Sequence, residues 1–329
     1  MTILMTTNTG GFPRIGEGKR DQKLRTAFSD MDKEKITQEE LLSVEREVTS
    51  EAIKLQAKAG IELVTDGQIR WNDPVSHVLG SVAGVEIGSL TRFFDTNYYY
   101  RQPIIREKLS WQRPVLLDEF IFARSVSERP VKPVITGPYT LARLSINHAY
   151  NSFNLFMEAM CDVIAREVDA LIQAGASVVQ IDEPAILQNP DDIEMLQQMI
   201  SEIAKKKGEA KLALYTYFGD VSPIYEKLQQ FPLDILGLDF SYSPKLPEVI
   251  SSLGTAKTLG LGLIDGRNTK LEMESDLFKL LDVLLSAPGV DDCYLNPSCG
   301  LEYLPKTKAA AKLENMVRLR NKYLGGKHE

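Results

Sequence analysis

The sequence is short of histidine and cysteine, and each shortage excludes chemistry. Three histidines (His77, His148, His328) and three cysteines (Cys161, Cys293, Cys299) are scattered through 329 residues. No H-x-C, H-E-x-x-H or C-x-x-C spacing occurs, so no zinc site can be read from spacing alone. An odd, sparse set of cysteines is not a disulfide framework and suits a reducing compartment. Walker-type phosphate loops and a Ser/His/Asp signature are also missing. No stretch approaches the roughly 18 apolar residues of a membrane span. The N-terminus has no basic region followed by an apolar run, so the expectation is a cytoplasmic protein. Basic residues are outnumbered, 38 Lys and Arg against 45 Asp and Glu, for a formal charge of −7. That balance argues against a nucleic-acid or anionic-membrane surface, while leaving room for a local basic pocket.

What is present is a rhythm. Eight short β-rich runs each end in polar or Gly/Pro residues, and most lead into a helical stretch: ILMTTNTGG, IELVTDG, KPVITGP, SVVQIDEP, KLALYTYFGD, ILGLDFS, TLGLGLIDGRN and CYLNPSCG. Residues 38–59 and 153–174 carry apolar positions at helical spacing, with Gly60 and Gly175 as stops. Strands alternating with helices imply right-handed crossovers and a parallel sheet. Eight such units predict an α/β fold, a (β/α)8 TIM barrel spanning residues 1–329 as one domain. The segment from about 76 to 130 breaks the rhythm with the cluster FFDTNYYYRQP. It reads as an insertion after the second strand, a hairpin or lid over the barrel mouth. Residues 11–37 are long and charged enough to fold over the top as well. The tail GGKHE reads as frayed.

In a barrel, the C-terminal ends of the strands form the active site. This chain places Asp66, Gly67 and Gln68 after the second strand and Asp182 and Glu183 after the fourth. Tyr215 and Tyr217 end the fifth and Asp239 the sixth. Asp265, Arg267 and Asn268 follow the seventh, and Asn296, Ser298 and Cys299 the eighth. Any one such Asp or Asn is commonly only a helix cap or turn residue, but several meeting on one rim form a site. Asp182-Glu183-Pro184 is the most informative: two carboxylates at the end of the apolar strand VVQI are partly desolvated and need a compensating partner. Asp182 is expected to hold a substrate amine, the bland alternative being that Glu183 caps the next helix while Asp182 pairs with a barrel cation. Cys299, on the loop N-P-S-C-G, is a candidate metal ligand or nucleophile. Cys161 and Cys293 read as buried and inert. Arg14, Lys19, Arg20, Lys23 and Arg25 make a locally basic segment, either a solvated face or a binder of an anionic ligand.

Taken in order, T-G-G-F-P-R-I-G, D-G-Q-I-R-W-N-D, F-F-D-T-N-Y, K-P-V-I-T-G-P, Q-I-D-E-P-A, T-Y-F-G-D, G-L-I-D-G-R-N and N-P-S-C-G-L resemble the cobalamin-independent methionine synthase family over nearly the whole chain. The full-length family enzyme has two related barrels, and one barrel's worth of chain is present here. The resemblance implies methyl transfer to the thiol of homocysteine, with a catalytic zinc that presents the thiol as thiolate. It sets Asp182 on the homocysteine amino group and makes Asp182, Cys299 and Tyr217 the catalytic candidates. Gly10 and Gly11 fall where the family holds the substrate carboxylate, without the serine hydroxyl. Gln68 replaces a substrate-binding Glu, and Glu183 completes the substrate set.

The same resemblance makes Cys299 the last zinc ligand and brings Asp239 near a zinc-binding Glu, whereas Tyr215 and Tyr217 stand where the family has its H-x-C pair. Arg14, Lys19 and Lys23 resemble a segment that contributes to folate binding, so the methyl donor is expected to be a folate or a methylated corrinoid, carried on a protein or free. Two readings compete with catalysis of this kind. One is a non-catalytic partner barrel that binds folate or a corrinoid protein, favoured by the missing ligands. The other is a barrel of the uroporphyrinogen-decarboxylase-like group, which the order of motifs disfavours.

Overall fold

The computed structural model describes residues 3–326; Lys327, His328 and Glu329, and so most of the expected frayed tail, lie outside the described residues, as does the side chain of Arg20. The strands in chain order are β1 (Ile3–Thr6), β2 (Ala83–Arg92), β3 (Tyr99–Ser110), β4 (Val134–Thr136), β5 (Ile146–Asn147), β6 (Val178–Asp182), β7 (Lys211–Thr216), β8 (Ile235–Asp239), β9 (Thr258–Ile264) and β10 (Asp292–Pro297). Seven of them form one parallel sheet in the order β1-β10-β9-β8-β7-β6-β4. The ring closes through residues 63 and 64, where Thr7 pairs with Leu63 and Val64 with Val131, both parallel. With that segment the eight runs expected from the sequence make the (β/α)8 barrel.

The second barrel strand is reduced to two bridges for a visible reason. The side-chain amide of Gln56 takes over the backbone of Thr65, accepting from its N–H at 3.0 Å and donating to its carbonyl at 2.9 Å. Gln56 belongs to the helix Gln38–Ala59, whose start is a reciprocal capping box: Thr37 accepts from the Glu40 amide while the Glu40 side chain accepts from the Thr37 amide. Gly60, at φ 94°, ends it in the left-handed conformation that glycine adopts without strain. The helix Phe153–Gln173 begins at a Ser152 cap.

Strand residues alternate between the helices and the barrel interior. Leu63, Val178, Ala213, Tyr215, Ile235 and Tyr294 form a core of their own inside the ring, separate from the large core between sheet and helices. Its centre is Tyr215. In register, Tyr215 on β7 lies beside Gly237 on β8, and Gly237 beside Gly260 on β9. A Cβ on Gly237 would stand 2.2 Å from the Tyr215 ring, and one on Gly260 2.7 Å from its hydroxyl. The two glycines let one tyrosine lie across two neighbouring strands and fill the barrel floor.

The break after the second strand is an antiparallel hairpin, β2 with β3, extended by β5. Its turn folds onto the barrel mouth. Phe94 lies 5.8 Å from Phe218, Tyr98 lies 5.8 Å from Tyr303, and Arg267 donates to the Asp95 carbonyl at 2.6 Å. Phe94 and Phe218 both have positive φ, 49° and 69°, and so does Gln68 at 52°. Strained non-glycine residues gathered at one mouth are a mark of a functional site. Among the described residues no helix is long and apolar enough to cross a membrane.

Replacing Gly237 with alanine forces a methyl group into the Tyr215 ring. The Gly237→Ala protein is expected to lose about 1–3 kcal/mol of stability, the usual cost of overpacking, seen as a lower urea midpoint with an unchanged slope.

Candidate active site

Alternation along β6 turns Gln180 and Asp182 to the inside, one above the other. The Asp182 carboxylate accepts from Gln180 Nε2 at 2.7 Å and from the Tyr217 hydroxyl at 3.1 Å. Gln180 Oε1 in turn accepts from Lys132 Nζ at 2.5 Å, and that ammonium stands 4.7 Å over the Tyr215 ring. The result is a polar column, Lys132–Gln180–Asp182–Tyr217, rising from the floor towards the mouth. All four side chains are buried. Burial lifts the Asp182 carboxyl to about 7, although Gln180, Tyr217 and Lys132 all favour its charged form. Burial likewise lowers Lys132 to about 7, against the pull of Asp182. Lys132 and Gln180 were not singled out from the sequence, although a lysine opening the apolar run K-P-V-I was a visible anomaly.

Glu183 is not part of this column. Its two oxygens accept from the Tyr139 amide at 2.9 Å, the Thr140 amide at 2.7 Å and the Thr140 hydroxyl at 2.6 Å. It therefore satisfies the free N–H groups at the start of the helix Pro138–Arg143, the helix after the preceding barrel strand rather than the next one. A Cβ on Gly137 would stand 2.2 Å from Glu183, so that glycine admits the carboxylate. The structure gives Glu183 a helix to cap and does not bring it to the mouth.

Gly10 and Gly11 do reach the mouth. The Gly10 carbonyl accepts from Thr65 at 2.7 Å and from Asn8 at 3.1 Å, and the Gly11 carbonyl accepts from the Leu301 amide at 2.8 Å. Gln68 is beside them: a Cβ on Gly10 would lie 3.5 Å from its Oε1. The space that a side chain at position 11 would occupy is filled by Glu302, whose Oε2 would lie 2.2 Å from a Cβ on Gly11 and 2.1 Å from one on Gly300. Glu302 Oε2 is shielded from solvent and has no hydrogen-bond partner among the described residues. Burial raises this carboxyl to about 7, and it in turn pushes Asp182 upward. Glu302 escaped the sequence reading. Its signal was indirect: two glycines, at positions 11 and 300, that leave room for a third residue.

The residues of the expected metal centre do not fit a zinc ion. Cys299 is fully buried, with its Sγ 3.4 Å from the Gly300 carbonyl. Burial, with Glu302 and Asp239 close by, drives its thiol well above the ordinary value. The two Asp239 oxygens accept from the backbone amides of Phe218 at 3.3 Å and Ser241 at 2.8 Å. Tyr215 is in the floor and Tyr217 is bound to Asp182. Among the described residues no group of three or more His, Cys, Asp or Glu side chains could hold a metal, whereas a catalytic zinc takes three protein ligands and keeps a fourth position open.

The expected basic segment also divides. Arg14 turns inward and donates to the Trp71 carbonyl. Lys19 is exposed, and Lys23 is bound to Glu47 at 2.7 Å and Glu51 at 2.6 Å on the helix Gln38–Ala59. The three cations do not converge on one ligand.

Protein loaded with zinc and then dialysed is expected to retain far less than one ion per chain, with the Cys299→Ala variant indistinguishable from it by elemental analysis. A stoichiometric zinc lost in that variant would show that the donors rearrange to bind it.

A family model described as the catalytic domain of cobalamin-independent synthase matches residues 4–322. The methionine synthase of Saccharolobus solfataricus is 30% identical over 321 residues, covering 96% of this chain and 94% of that protein. That of Sulfurisphaera tokodaii is 31% identical over 322 residues, covering 97% and 92%. Among solved structures, a B12-independent methionine synthase from a Shewanella species, in complex with selenomethionine, superposes with a TM-score of 0.80 at 20% identity, covering 98% of this chain and 99% of that one. Matched along nearly its whole length, and with a carboxylate fixed at the end of the fourth barrel strand, the chain belongs to the cobalamin-independent methionine synthase family of methyltransferases.

Proposed function

We propose that this barrel transfers a methyl group to the thiol of homocysteine to give methionine. The observation that carries the reading is Asp182, a buried carboxylate oriented by Gln180 and Tyr217 at the position where the resemblance sets the partner of the substrate amino group. An ammonium beside it would draw Asp182 into its charged form and relieve the cost of its burial. The turn Gly10–Gly11 and Gln68 border the same opening, and the hairpin turn above it limits access of water, which strengthens electrostatic contacts inside.

In the reaction the sulfur lone pair attacks the methyl carbon, a new S–C bond forms, and the bond between methyl and donor breaks with its electron pair staying on the donor. The thiol gives up its proton, to solvent or to the donor atom that keeps the electron pair. The donor in this reading is a methyl-folate or a methylated corrinoid. Three buried, unpaired cysteines suit the cytoplasm as its compartment. The lost H-x-C donors favour one other reading, a partner barrel that binds a folate or a corrinoid protein without turning over.

Purified protein incubated with homocysteine and, separately, methyl-folate, methylcobalamin or a methylated corrinoid protein is expected to form methionine with one of them. Asp182→Asn should lower kcat/KM by about 100-fold or more, as loss of a charged partner in a closed site does. Binding of a donor with no methionine formed would favour the partner barrel. Failure to bind homocysteine or any donor would end both readings.

A further inference from the structure

The barrel mouth is shut. Asp182, Tyr217 and Cys299 are all buried, and the cavity bordered by Gly11, Gln68, Tyr98 and Glu302 has a volume of about 20 Å³. That is room for about one water molecule. No amino acid reaches Asp182 unless a wall withdraws. Most walls are fixed through their backbones: the Phe12 amide donates to the Gly67 carbonyl at 2.8 Å and the Leu301 amide to the Gly11 carbonyl at 2.8 Å. Tyr98 is the wall that the hairpin contributes, and the hairpin tip, residues 92–98, is held differently. Among the described residues no backbone–backbone hydrogen bond ties that tip to the barrel.

The tip is bound within itself. The Phe93 amide donates to the Tyr98 carbonyl at 2.9 Å, the Thr96 hydroxyl to the Phe93 carbonyl at 2.5 Å and Arg92 Nε to the Thr96 carbonyl at 2.6 Å. It can therefore move as one piece. Below it the β2–β3 register shifts between Ile87 and Leu90, an irregularity at which a hairpin bends. What holds the tip down are side chains: Phe94 against Phe218, Tyr98 against Tyr303, the Tyr98 hydroxyl, beside Arg14, donating to the Asn72 carbonyl at 3.1 Å, and Arg267. Arg267 comes from the loop after β9. It donates Nη2 to the Asp95 carbonyl at 2.6 Å, and its guanidinium lies 5.4 Å from the Phe218 ring centre and 5.2 Å from that of Tyr242. Its root is firm. Asp265 accepts from the Arg267 amide at 2.8 Å, Glu272 accepts from the Asp265 amide at 3.0 Å, and the fully buried Lys312 donates to Glu272 at 2.7 Å.

We infer that the hairpin tip is the moving wall of the site and that Arg267 is its latch, gripping the Asp95 carbonyl in the closed form and letting go when ligands enter or leave. This deepens the reading of the mouth as a substrate entrance, and rests on it, by naming the part that gates it. A rigid arm with one distal grip suits a latch, because breaking a single hydrogen bond and two ring contacts frees the tip without disturbing the barrel. The positive φ of Phe94 and of Phe218, which meet under the latch, adds strain to the closed form and favours release.

The thiol of Cys299 reports opening. It is fully buried and lies near Tyr217 and Tyr303, and Tyr303 carries the ring of Tyr98 from the tip. The whole protein is treated with iodoacetamide, and modification of each of the three cysteines is followed by peptide mass spectrometry. Where closing outpaces alkylation, the rate follows the population of the open form. Arg267→Gln is expected to raise the Cys299 rate by about tenfold, the size of one hydrogen bond from a charged group, and to leave Cys161 and Cys293 unchanged. Phe94→Ala, which takes a ring off Phe218, should act in the same direction and carries the test alone if Arg267→Gln does not fold. Asp95→Asn should change nothing, since the latch grips the carbonyl and the Asp95 side chain is 89% exposed. An unchanged Cys299 rate in a folded Arg267→Gln protein, or equal acceleration at all three cysteines, would overturn the latch. Homocysteine is expected to slow Cys299 alkylation in the wild type. A latch effect without that protection would remove the homocysteine reading and leave the latch standing.

Discussion

A carboxylate cannot be withdrawn from water into a barrel unless donors replace that water. At Asp182 the donors are the Gln180 amide and the Tyr217 hydroxyl, and Gln180 is itself fixed by Lys132. The rest of the mouth depends on this column. Lys132 stays buried because Gln180 accepts its hydrogen bond and the Tyr215 ring face lies beneath it. Tyr215 can lie there because β8 and β9 carry glycine at the facing positions. Removing any one of these groups leaves another buried and unsatisfied, which is why the arrangement is specific rather than merely polar.

The same economy of space shapes the rim. Gly11 and Gly300 admit Glu302, and Gly137 admits Glu183. Two glutamates admitted by glycines thus have different fates. Glu183 meets two backbone amides and a hydroxyl at a helix start and becomes structural. Glu302 meets no hydrogen-bond donor at Oε2 among the described residues and has Tyr303 beside its carboxyl. Both carboxyls are raised to about 7 by burial, so the shift alone does not separate support from function; the hydrogen-bond partners do.

Much of this was legible in the sequence. All eight strand runs appear in the barrel, and the helix Gln38–Ala59 with its Gly60 stop follows from apolar spacing and capping chemistry, which are local. Asp182, Tyr217 and Gln68 were visible because strand ends in a barrel point to the mouth. What stayed hidden depends on long-range geometry. Gln180 looks like an ordinary strand residue until period-2 alternation stacks it beneath Asp182. Glu302 becomes notable only when residues 11 and 300 are seen to leave space for it. Glu183 misled because the helix that it caps lies more than forty positions earlier in the chain. The metal expectation followed the alignment of single residues, whereas coordination needs several donors to converge, and here Cys299, Asp239 and Tyr217 are each engaged elsewhere.

The central claim is that the Asp182 carboxylate waits for a cation supplied by the substrate. The direct measurement is the carboxyl carbon-13 signal of Asp182, followed against pH in free protein and with homocysteine bound, and assigned with the Asp182→Asn variant. The account predicts a midpoint near 7 in the free protein that falls clearly when homocysteine binds, because the ammonium favours the charged form. A midpoint that does not move on binding would contradict it.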